Sequence, residues 1–414
     1  MKAVRSLAAL LTSCSVGMVA ACAEPTTSVI DASIIDATRV AVADAHVSLD
    51  AYAPPDAPSD AGPPPADWLV AQGTATCASR EGRVWCWGTS WTEMAVRPVE
   101  IVELRGARTI ALGRGHACAI LGDGRVACAG SNRTGQLGVS PADLARRETF
   151  ELVEAAPPTV AIAVSQTGLT SCAIDVEGAV WCWGDDALGQ TGSPIPPHAT
   201  GANAPQPTPQ RIEGLAGARS LSLGQYHSCA LLDDGRAQCW GYDWWGALGR
   251  GEGYTGMPQH VPADLAGIED ALSITVDGNG GCVLGASGEV ACWGGHVHLY
   301  PGWDPDTDDD CPVVVTQARW RAPRALALPV SSALLLGGGA GCIDHEGWSC
   351  FGDTRGDLVA IDDVGDDATL ALGMGHVCAL DAGGAIRCRG RGDEGQLGDG
   401  MRTSSHAWVD VTLE

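Results

Sequence analysis

The chain has 414 residues, a formal net charge of −25 and a single lysine, Lys2, so arginine supplies the other basic side chains. A nucleic-acid-binding domain normally presents a basic face, so this charge balance argues against a nucleic-acid partner. With 55 glycines, 14 tryptophans and 2 phenylalanines, the composition favours a turn-rich β protein over a helical one.

Residues 1–21 are predicted to be an export signal. Lys2 and Arg5 give a positively charged start, an apolar run spans 7–11, and small residues precede Cys22. The letters VAAC at 19–22 resemble the lipobox of bacterial lipoproteins, in which the cysteine is lipidated; a cleavable signal with an unrelated cysteine is the alternative. An alanine follows the cysteine, and by resemblance to the sorting rule of enteric bacteria this favours the outer membrane or cell surface.

Residues 22–66 are predicted to be a lipidated cysteine followed by a disordered tether. The segment is rich in alanine, aspartate and proline, and such a composition buries too little apolar surface to offset its chain entropy. Proline-rich tracts are also stiff and extended. The tether would therefore hold residues 67–414 away from a membrane.

Cysteines divide residues 67–414 into seven short repeats. First cysteines recur every 36 to 60 residues, and each has a partner 8 to 10 residues later, with Cys311 left over. The pairs are Cys77 with Cys86, Cys118 with Cys128, Cys172 with Cys182, Cys229 with Cys239, Cys282 with Cys292, Cys342 with Cys350, and Cys378 with Cys388.

The residues between two paired cysteines indicate a β-hairpin. In the second repeat a Gly-Asp-Gly turn at 122–124 lets Ile120 face Val126 and Cys118 face Cys128. Cross-strand neighbours lie within the distance that a disulfide spans, and an exported chain meets an oxidising compartment. Seven disulfides are therefore predicted, with zinc binding as the less favoured alternative because zinc needs four ligands.

A glycine stands two residues after the second cysteine in every repeat, and tryptophan precedes it in four of them. A position that holds only glycine indicates a positive φ or a close approach of backbone. Four repeats then continue to a Gly-x-x-Gly turn. Short strands, tight turns and repeats of this length argue for a β-propeller, because one small sheet cannot bury both of its faces.

The phrases GRGHACAILGDGRVACAGSNRTGQLG (113–138) and GMGHVCALDAGGAIRCRGRGDEGQLG (373–398) carry the whole pattern. It resembles the regulator of chromosome condensation repeat family, whose members form seven-bladed propellers. The resemblance covers 67–414 and implies an all-β, seven-bladed β-propeller with four-stranded blades, in an exported version with a disulfide in each blade. It also implies closure of the ring by pairing of the chain ends, with strands from 68–73 and 407–411.

Candidate sites are few. The histidines His116, His227 and His376 share one repeat position, so a structural role is favoured over catalysis, and no catalytic residue is assigned. An acidic insertion in the fifth repeat is a candidate calcium site, with a solvated acidic loop as the alternative. Its candidate ligands are Asp304, Asp306, Asp308 and Asp310.

Aromatic residues gather in the fourth repeat. Trp240 is predicted to pack between blades, whereas Trp244, Trp245 and Tyr254 are predicted to form an exposed binding patch. The predicted function is a monomeric, envelope-anchored propeller that binds a protein. A propeller lyase or hydrolase acting on an extracellular substrate, and a calcium-assisted adhesin, are the alternatives; ionisable groups in the central mouth would favour the enzyme.

Overall fold

The computed structural model describes residues 68–89, 91, 94–113, 115–166, 168–193, 205–251, 258–295, 319–326, 328–337, 340–345, 347–351, 358–361, 363–365 and 367–414. The predictions for the export signal, Cys22, the tether, the four aspartates of the fifth repeat, Tyr254 and Cys311 lie outside these residues. Within them, no helix has the length and apolarity needed to cross a membrane.

The described chain forms 28 β-strands in seven four-stranded antiparallel sheets, each built from consecutive strands. Blade 1 contains β1 (Leu69–Gln72), β2 (Thr74–Arg80), β3 (Arg83–Thr89) and β4 (Ala95–Glu100). Blade 2 contains β5 (Thr109–Leu112), β6 (His116–Ile120), β7 (Val126–Ser131) and β8 (Arg146–Leu152). Blade 3 contains β9 (Thr159–Val164), β10 (Thr170–Asp175), β11 (Val180–Gly184) and β12 (Gln206–Arg211).

The other four blades repeat this order. Blade 4 contains β13 (Ala218–Leu223), β14 (His227–Leu232), β15 (Ala237–Tyr242) and β16 (Pro258–Asp264). Blade 5 contains β17 (Ala271–Asp277), β18 (Gly280–Gly285), β19 (Val290–Gly295) and β20 (Arg319–Ala325). Blade 6 contains β21 (Ala333–Gly337), β22 (Ala340–Asp344), β23 (Trp348–Phe351) and β24 (Leu358–Ala360). Blade 7 contains β25 (Thr369–Leu372), β26 (His376–Leu380), β27 (Ile386–Gly390) and β28 (Ser405–Val411).

The second and third strands of each blade form the hairpin that the cysteine spacing predicts. In blade 2, Cys118 lies opposite Cys128 and Ile120 opposite Val126. The turn is fixed because the Leu121 amide donates to the Arg125 carbonyl oxygen at 2.8 Å.

All seven predicted disulfides are present, and each lies within one blade between its second and third strands. In blade order they join Cys77 to Cys86, Cys118 to Cys128, Cys172 to Cys182, Cys229 to Cys239, Cys282 to Cys292, Cys342 to Cys350, and Cys378 to Cys388. In every blade the two cysteines are directly opposed in the strand register. Zinc binding by these cysteines, the alternative interpretation of the spacing, is therefore wrong.

The seven sheets stand side by side in a closed ring. Each first strand contacts the first strand of the next blade, and β1 contacts β25, so these strands surround the axis. Seven apolar clusters fill the seven seams between neighbouring blades. The core is therefore divided among the seams, which explains why one blade alone could not bury its faces.

The ring does not close in the way that the resemblance implies. β1 is the innermost strand of blade 1 and β28 is the outermost strand of blade 7, and they belong to different sheets. Because each terminal blade already has four strands of its own, no strand needs to be exchanged. Blades 7 and 1 instead meet like the other neighbours, with Thr76 Oγ1 2.8 Å from His376 Nε2.

The connections fall on two sides of the ring. We call the turn face the side that carries the hairpin turns between second and third strands and the links between blades. On this side the Gly106 amide donates to Gly82 O at 2.7 Å, and the Thr159 amide donates to Gly124 O at 2.8 Å. We call the opposite side the loop face; it carries the connections between first and second strands and between third and fourth strands.

Candidate binding surface

The glycine after the second cysteine has the predicted conformation in the six blades where it is described. Its φ lies between 84° and 114° at Gly88, Gly130, Gly184, Gly241, Gly294 and Gly390. A Cβ added at Gly184 would also lie 2.3 Å from Leu169 O. The pairing of third and fourth strands shifts register at this glycine. The glycine therefore forms a β-bulge that turns the chain onto the loop face.

The loop that follows is held by its own side chains. We call it the glycine loop, residues 130–138, 184–192, 241–249 and 390–398 in blades 2, 3, 4 and 7. Asp186 Oδ1 accepts the amide of Thr191 at 3.0 Å, and Asn132 and Asp243 do the same for the residue five positions later. The buried polar side chains of the glycine loop therefore hold its main chain in place.

A tryptophan of the next blade docks on each glycine loop. The indole Nε1–H donates to a main-chain carbonyl oxygen of the preceding blade's loop in four seams. The pairs are Trp183 with Gln136 at 2.9 Å, Trp240 with Gln190 at 3.0 Å, Trp293 with Ala247 at 2.8 Å and Trp87 with Gln396 at 3.0 Å. The prediction that Trp240 packs between blades is confirmed.

The three repeat histidines also lie in seams. His116 Nε2 lies 3.2 Å from Ser171 Oγ of blade 3, and His376 reaches Thr76 of blade 1 in the same way. His227 has no such partner, because Gly281 occupies the matching position of blade 5, opposite Trp293. Burial lowers the pKa of all three imidazoles to about 4. A neutral, enclosed ring at a repeat position supports the structural role.

These histidines also explain the first glycine of each Gly-x-x-His phrase. A Cβ at Gly373 would lie 2.0 Å from His376 Cε1, and one at Gly224 would lie 2.2 Å from His227 Cε1. Because both imidazoles are buried, neither can move aside. The repeated phrase therefore needs glycine at its first position, because the imidazole of the histidine occupies the space that a Cβ would fill.

Two of the three aromatic residues predicted to form a patch are described, and they lie together. Trp244 is 41% exposed, while Trp245 and Tyr242 are half-buried. The ring centroids of Trp244 lie 5.2 Å from Trp245 and 5.9 Å from Tyr242. We call Tyr242, Trp244 and Trp245 the aromatic patch; it lies on the loop face of blade 4.

The backbone of Trp245 is unusual for a side chain of its size. Its φ and ψ are 56° and 24°, in the left-handed region. A Cβ on Gly295 of blade 5 would lie only 2.2 Å from Trp245 Cβ. Trp245 therefore packs against the neighbouring blade, and Trp244 is the more accessible member of the patch.

Comparison with known proteins identifies the repeat. The profile of the regulator of chromosome condensation (RCC1) repeat matches residues 107–136 and 218–243, which contain the hairpins of blades 2 and 4. These two segments are RCC1 repeats, and the chain is similar to the RCC1 repeat family. The matched segments end within the glycine loops, so the family pattern includes the hairpin and the bulge described above.

Similar proteins share part of their length with this chain. Protein pim1 of Schizosaccharomyces pombe is 26% identical over 239 residues, which is 54% of this chain and 43% of pim1. E3 ubiquitin-protein ligase HERC2 of Homo sapiens is 25% identical over 251 residues, covering 58% of this chain and 5% of HERC2. The chain thus matches about two-fifths of pim1 and a small part of HERC2.

Solved structures agree on the fold. The crystal structure of Prp20p from Saccharomyces cerevisiae, described with its binding properties to Gsp1p and histones, has a TM-score of 0.64 at 19% identity. That match covers 84% of this chain and 88% of Prp20p. Human WBSCR16 matches with a TM-score of 0.51 at 17% identity, covering 84% of this chain and 82% of that one.

At two positions the chain departs from the RCC1 repeat, and both departures lie where neighbouring blades meet. Blade 2 has Ala129 in place of tryptophan, and Trp91 from blade 1 fills the space, 2% exposed and edge-on to Phe150 at 5.1 Å. The sequence gives no local signal for this exchange, because Trp91 and Ala129 belong to different repeats.

The second departure lies in the glycine loop that carries the aromatic patch. In three RCC1 glycine loops a glutamine Oε1 accepts the amide two residues earlier, as Gln190 does for Leu188 at 2.8 Å. Blade 4 has Ala247 at this position, so the amide of Trp245 loses that acceptor. Of the residues at the position of Trp245 in the four glycine loops, only Trp245 has a positive φ.

Ionisable groups with strongly shifted pKa values lie in the RCC1 seams and loops. Burial raises the pKa of Asp186 to about 6, against the opposing effect of its hydrogen bonds with Thr191. Burial also raises the pKa of Asp243, although Arg250 and Arg321 oppose the shift. Asp186 supports the glycine loop of blade 3, and Asp243 supports that of blade 4, which carries the aromatic patch.

Proposed function

We propose that this propeller is a cell-envelope-anchored protein-interaction module that binds a protein partner through the aromatic patch of blade 4. The observation that supports the proposal is the exposure of Trp244 beside two other aromatic rings. Trp and Tyr are enriched at the energetic centres of protein interfaces, where large rigid rings bury much area at small entropic cost.

The strained loop strengthens this proposal. Holding a residue like Trp245 in the left-handed region costs about 1–3 kcal/mol, and the contact with Gly295 offsets part of that cost. A rigid loop presents Trp244 in one orientation, so little conformational freedom is lost when a partner binds.

Relatives support a protein as the partner. Prp20p is described with Gsp1p and histones, and yeast RCC1 (Prp20) is described as bound by Kap60. All three are proteins, and the propeller that they are described with is 19% identical to this chain. This proposal therefore takes from these structures only that the partner is a protein, and it does not take over the individual partners.

Site-specific photo-crosslinking tests the proposal. A photoreactive phenylalanine analogue replaces Trp244 in the full-length chain, and Val261, 73% exposed on β16 of the same blade, serves as the matched control position. We expect a defined protein adduct from position 244 and none from position 261. Identical adducts from both positions would contradict the proposal that the partner binds through the aromatic patch.

Binding of the purified partner then gives the energetic test. Trp244→Ala should weaken binding by at least about 2 kcal/mol, the range of interface hot spots, whereas Val261→Ala should leave the affinity unchanged. Equal affinities for the two variants would contradict the assignment to blade 4.

Membrane anchoring is tested separately. The proposal places a lipid on Cys22, with support from the resemblance of VAAC at 19–22 to a lipobox. Metabolic labelling with an alkyne fatty acid should mark the full-length chain and not Cys22→Ala. Recovery of both forms in the membrane fraction without label would contradict lipidation while leaving the blade 4 proposal intact.

A further inference from the structure

Blade 6 contains the most accessible of the seven disulfides. Twelve cysteines in the other six disulfides are buried, with exposed fractions from 0% to 7%, and Cys342 is 1% exposed. Its partner Cys350 is half-buried. Cys350 is therefore the most accessible of the fourteen disulfide-bonded cysteines.

The hairpin and the outer strand of blade 6 are shorter than those of the other blades. The cysteines of blade 6 are 8 residues apart, against 9 or 10 in the other blades. Its outer strand β24 has 3 residues, whereas the outer strands of the other blades have 6 or 7. Val359 of β24 lies opposite Cys350, so the hairpin and the outer strand are both short around this disulfide.

Blade 6 also lacks the tryptophan–carbonyl contact at both of its seams. Phe351 occupies the tryptophan position of blade 6, and Arg389 occupies that of blade 7. Arg389 instead lies over Trp408 of its own blade, 4.8 Å from the ring centroid. Blade 6 is joined to blade 7 by apolar packing and by Trp348 Nε1, which donates to Ala368 O at 3.3 Å.

We propose that Cys342–Cys350 is a redox-responsive disulfide, which a dithiol reductant opens while the other six stay oxidised. A thiolate of the reductant attacks Cys350 Sγ, the S–S bond breaks, and Cys342 leaves as a thiolate that takes up a proton. The second thiol of the reductant attacks its own sulfur in the mixed disulfide and releases Cys350, which is also protonated. The protein gains two protons and two electrons, and the reductant becomes a disulfide.

Access determines the order of these reactions. A thiolate must reach a disulfide sulfur along the S–S axis, so buried disulfides exchange only after local opening. Reduction removes the covalent tie between β22 and β23. Blade 6 then loosens, while the rest of the ring keeps its disulfides and its four tryptophan–carbonyl contacts.

Timed reduction of the native full-length protein tests the proposal. Oxidised protein is exposed to dithiothreitol without denaturant, quenched with an alkylating reagent and mapped by peptide mass spectrometry. We expect Cys342 and Cys350 to be alkylated at least about tenfold faster than the other twelve cysteines. Reduction of all seven pairs together, or of another pair first, would overturn the proposal.

A monothiol identifies the sulfur that is attacked. Glutathione should form its adduct on Cys350 and not on Cys342, because Cys342 is enclosed. An adduct on Cys342 would contradict the stated direction of attack. The double variant of Cys342→Ser and Cys350→Ser should lose the fast phase, whereas the matched double variant of Cys118→Ser and Cys128→Ser should keep it.

The consequence for structure has its own readout. After selective reduction, hydrogen exchange should rise in β22 and β23 and stay unchanged in the hairpin of blade 2. An unchanged exchange pattern in blade 6 would contradict the loosening of this blade on reduction.

Discussion

Trp183 Nε1 donates a hydrogen bond to the main-chain oxygen of Gln136, 2.9 Å away and 47 residues earlier in the chain. The bond joins blade 3 to the glycine loop of blade 2, and both partners are buried. Three other seams repeat the contact. In these four seams the tryptophan of one blade therefore binds the glycine loop of the preceding blade, and this contact helps to join the small sheets into one ring.

The strength of this contact should differ between seams. Ser171 Oγ also donates to Gln136 O at 3.0 Å, whereas Gly281 takes the place of that serine beside Trp293. Trp183→Phe should therefore lower the free energy of unfolding by about 1 kcal/mol, and Trp293→Phe by about 2–3 kcal/mol, because it also leaves Ala247 O unsatisfied. Urea unfolding of the oxidised proteins measures both; equal losses would contradict this account.

Much of each blade could be predicted from sequence because its determinants are local. A hairpin of 8 to 10 residues fixes its own register, so opposed cysteines identify the pairing, as Cys172 and Cys182 do in blade 3. The bulge glycine could also be predicted. At Gly184 the φ is 109° and an added Cβ would lie 2.3 Å from a carbonyl oxygen, and only glycine accepts both constraints. These constraints act within one repeat.

Apart from the packing of Trp240 between blades, the contacts in the seams could not be predicted, because their determinants lie in two repeats at once. Nothing near Ala129 shows that Trp91 fills its space, and nothing near Trp245 shows that Gly295 receives it. The closure of the ring was predicted wrongly for a related reason. The family expectation required a shared blade, whereas this chain has four strands for each terminal blade.

Replacing Asp186 with asparagine should stabilise the protein at neutral pH. Burial raises the pKa of Asp186 from 3.8 to about 6, so the ionised form is disfavoured in the folded state. The stabilising effect of protonation is complete below pH 4 and is lost as pH rises through 6. Asp186→Asn should gain up to about 3 kcal/mol at pH 7.5 and progressively less towards pH 4, measured by denaturant unfolding at each pH.

Asp186→Ala is the matched control for that prediction. It removes the same charge but also the oxygen that accepts the Thr191 amide. Asparagine keeps this acceptor, and Asn132 holds the corresponding loop of blade 2. We expect Asp186→Ala to be less stable than Asp186→Asn at every pH, and the reverse order would show that the loop does not depend on this hydrogen bond.

Acid should destabilise the ring through its histidines. Burial lowers their pKa from 6.5 to about 4, so the unfolded chain binds more protons between these values. Stability is therefore complete above pH 6.5 and is lost as pH falls towards 4, by up to about 3 kcal/mol for each histidine.

Two leucine variants separate the charge effect from hydrogen bonding. His227 has no hydrogen-bond partner, whereas His376 Nε2 lies 2.8 Å from Thr76 Oγ1. His227→Leu should keep its stability at pH 7.5, while His376→Leu should be less stable than the unchanged protein at that pH. Both variants should lose part of the acid sensitivity. Thermal unfolding at pH 7.5 and 5 distinguishes them, and an unchanged acid slope in His227→Leu would remove this residue from the explanation.

Ala247→Gln should dismantle the aromatic patch without changing an aromatic residue. The new Oε1 would accept the amide of Trp245, as Gln190 Oε1 accepts that of Leu188, and this favours a right-handed backbone at Trp245. The rings of Trp244 and Trp245, now 5.2 Å apart, should separate, and the release from φ 56° should add about 1 kcal/mol of stability. Near-UV circular dichroism should report the loss of the ring pair, and partner affinity should fall.

Val261→Gln, on β16, should change neither signal. If Ala247→Gln retained both the spectrum and the affinity, the missing glutamine would not be the cause of the patch.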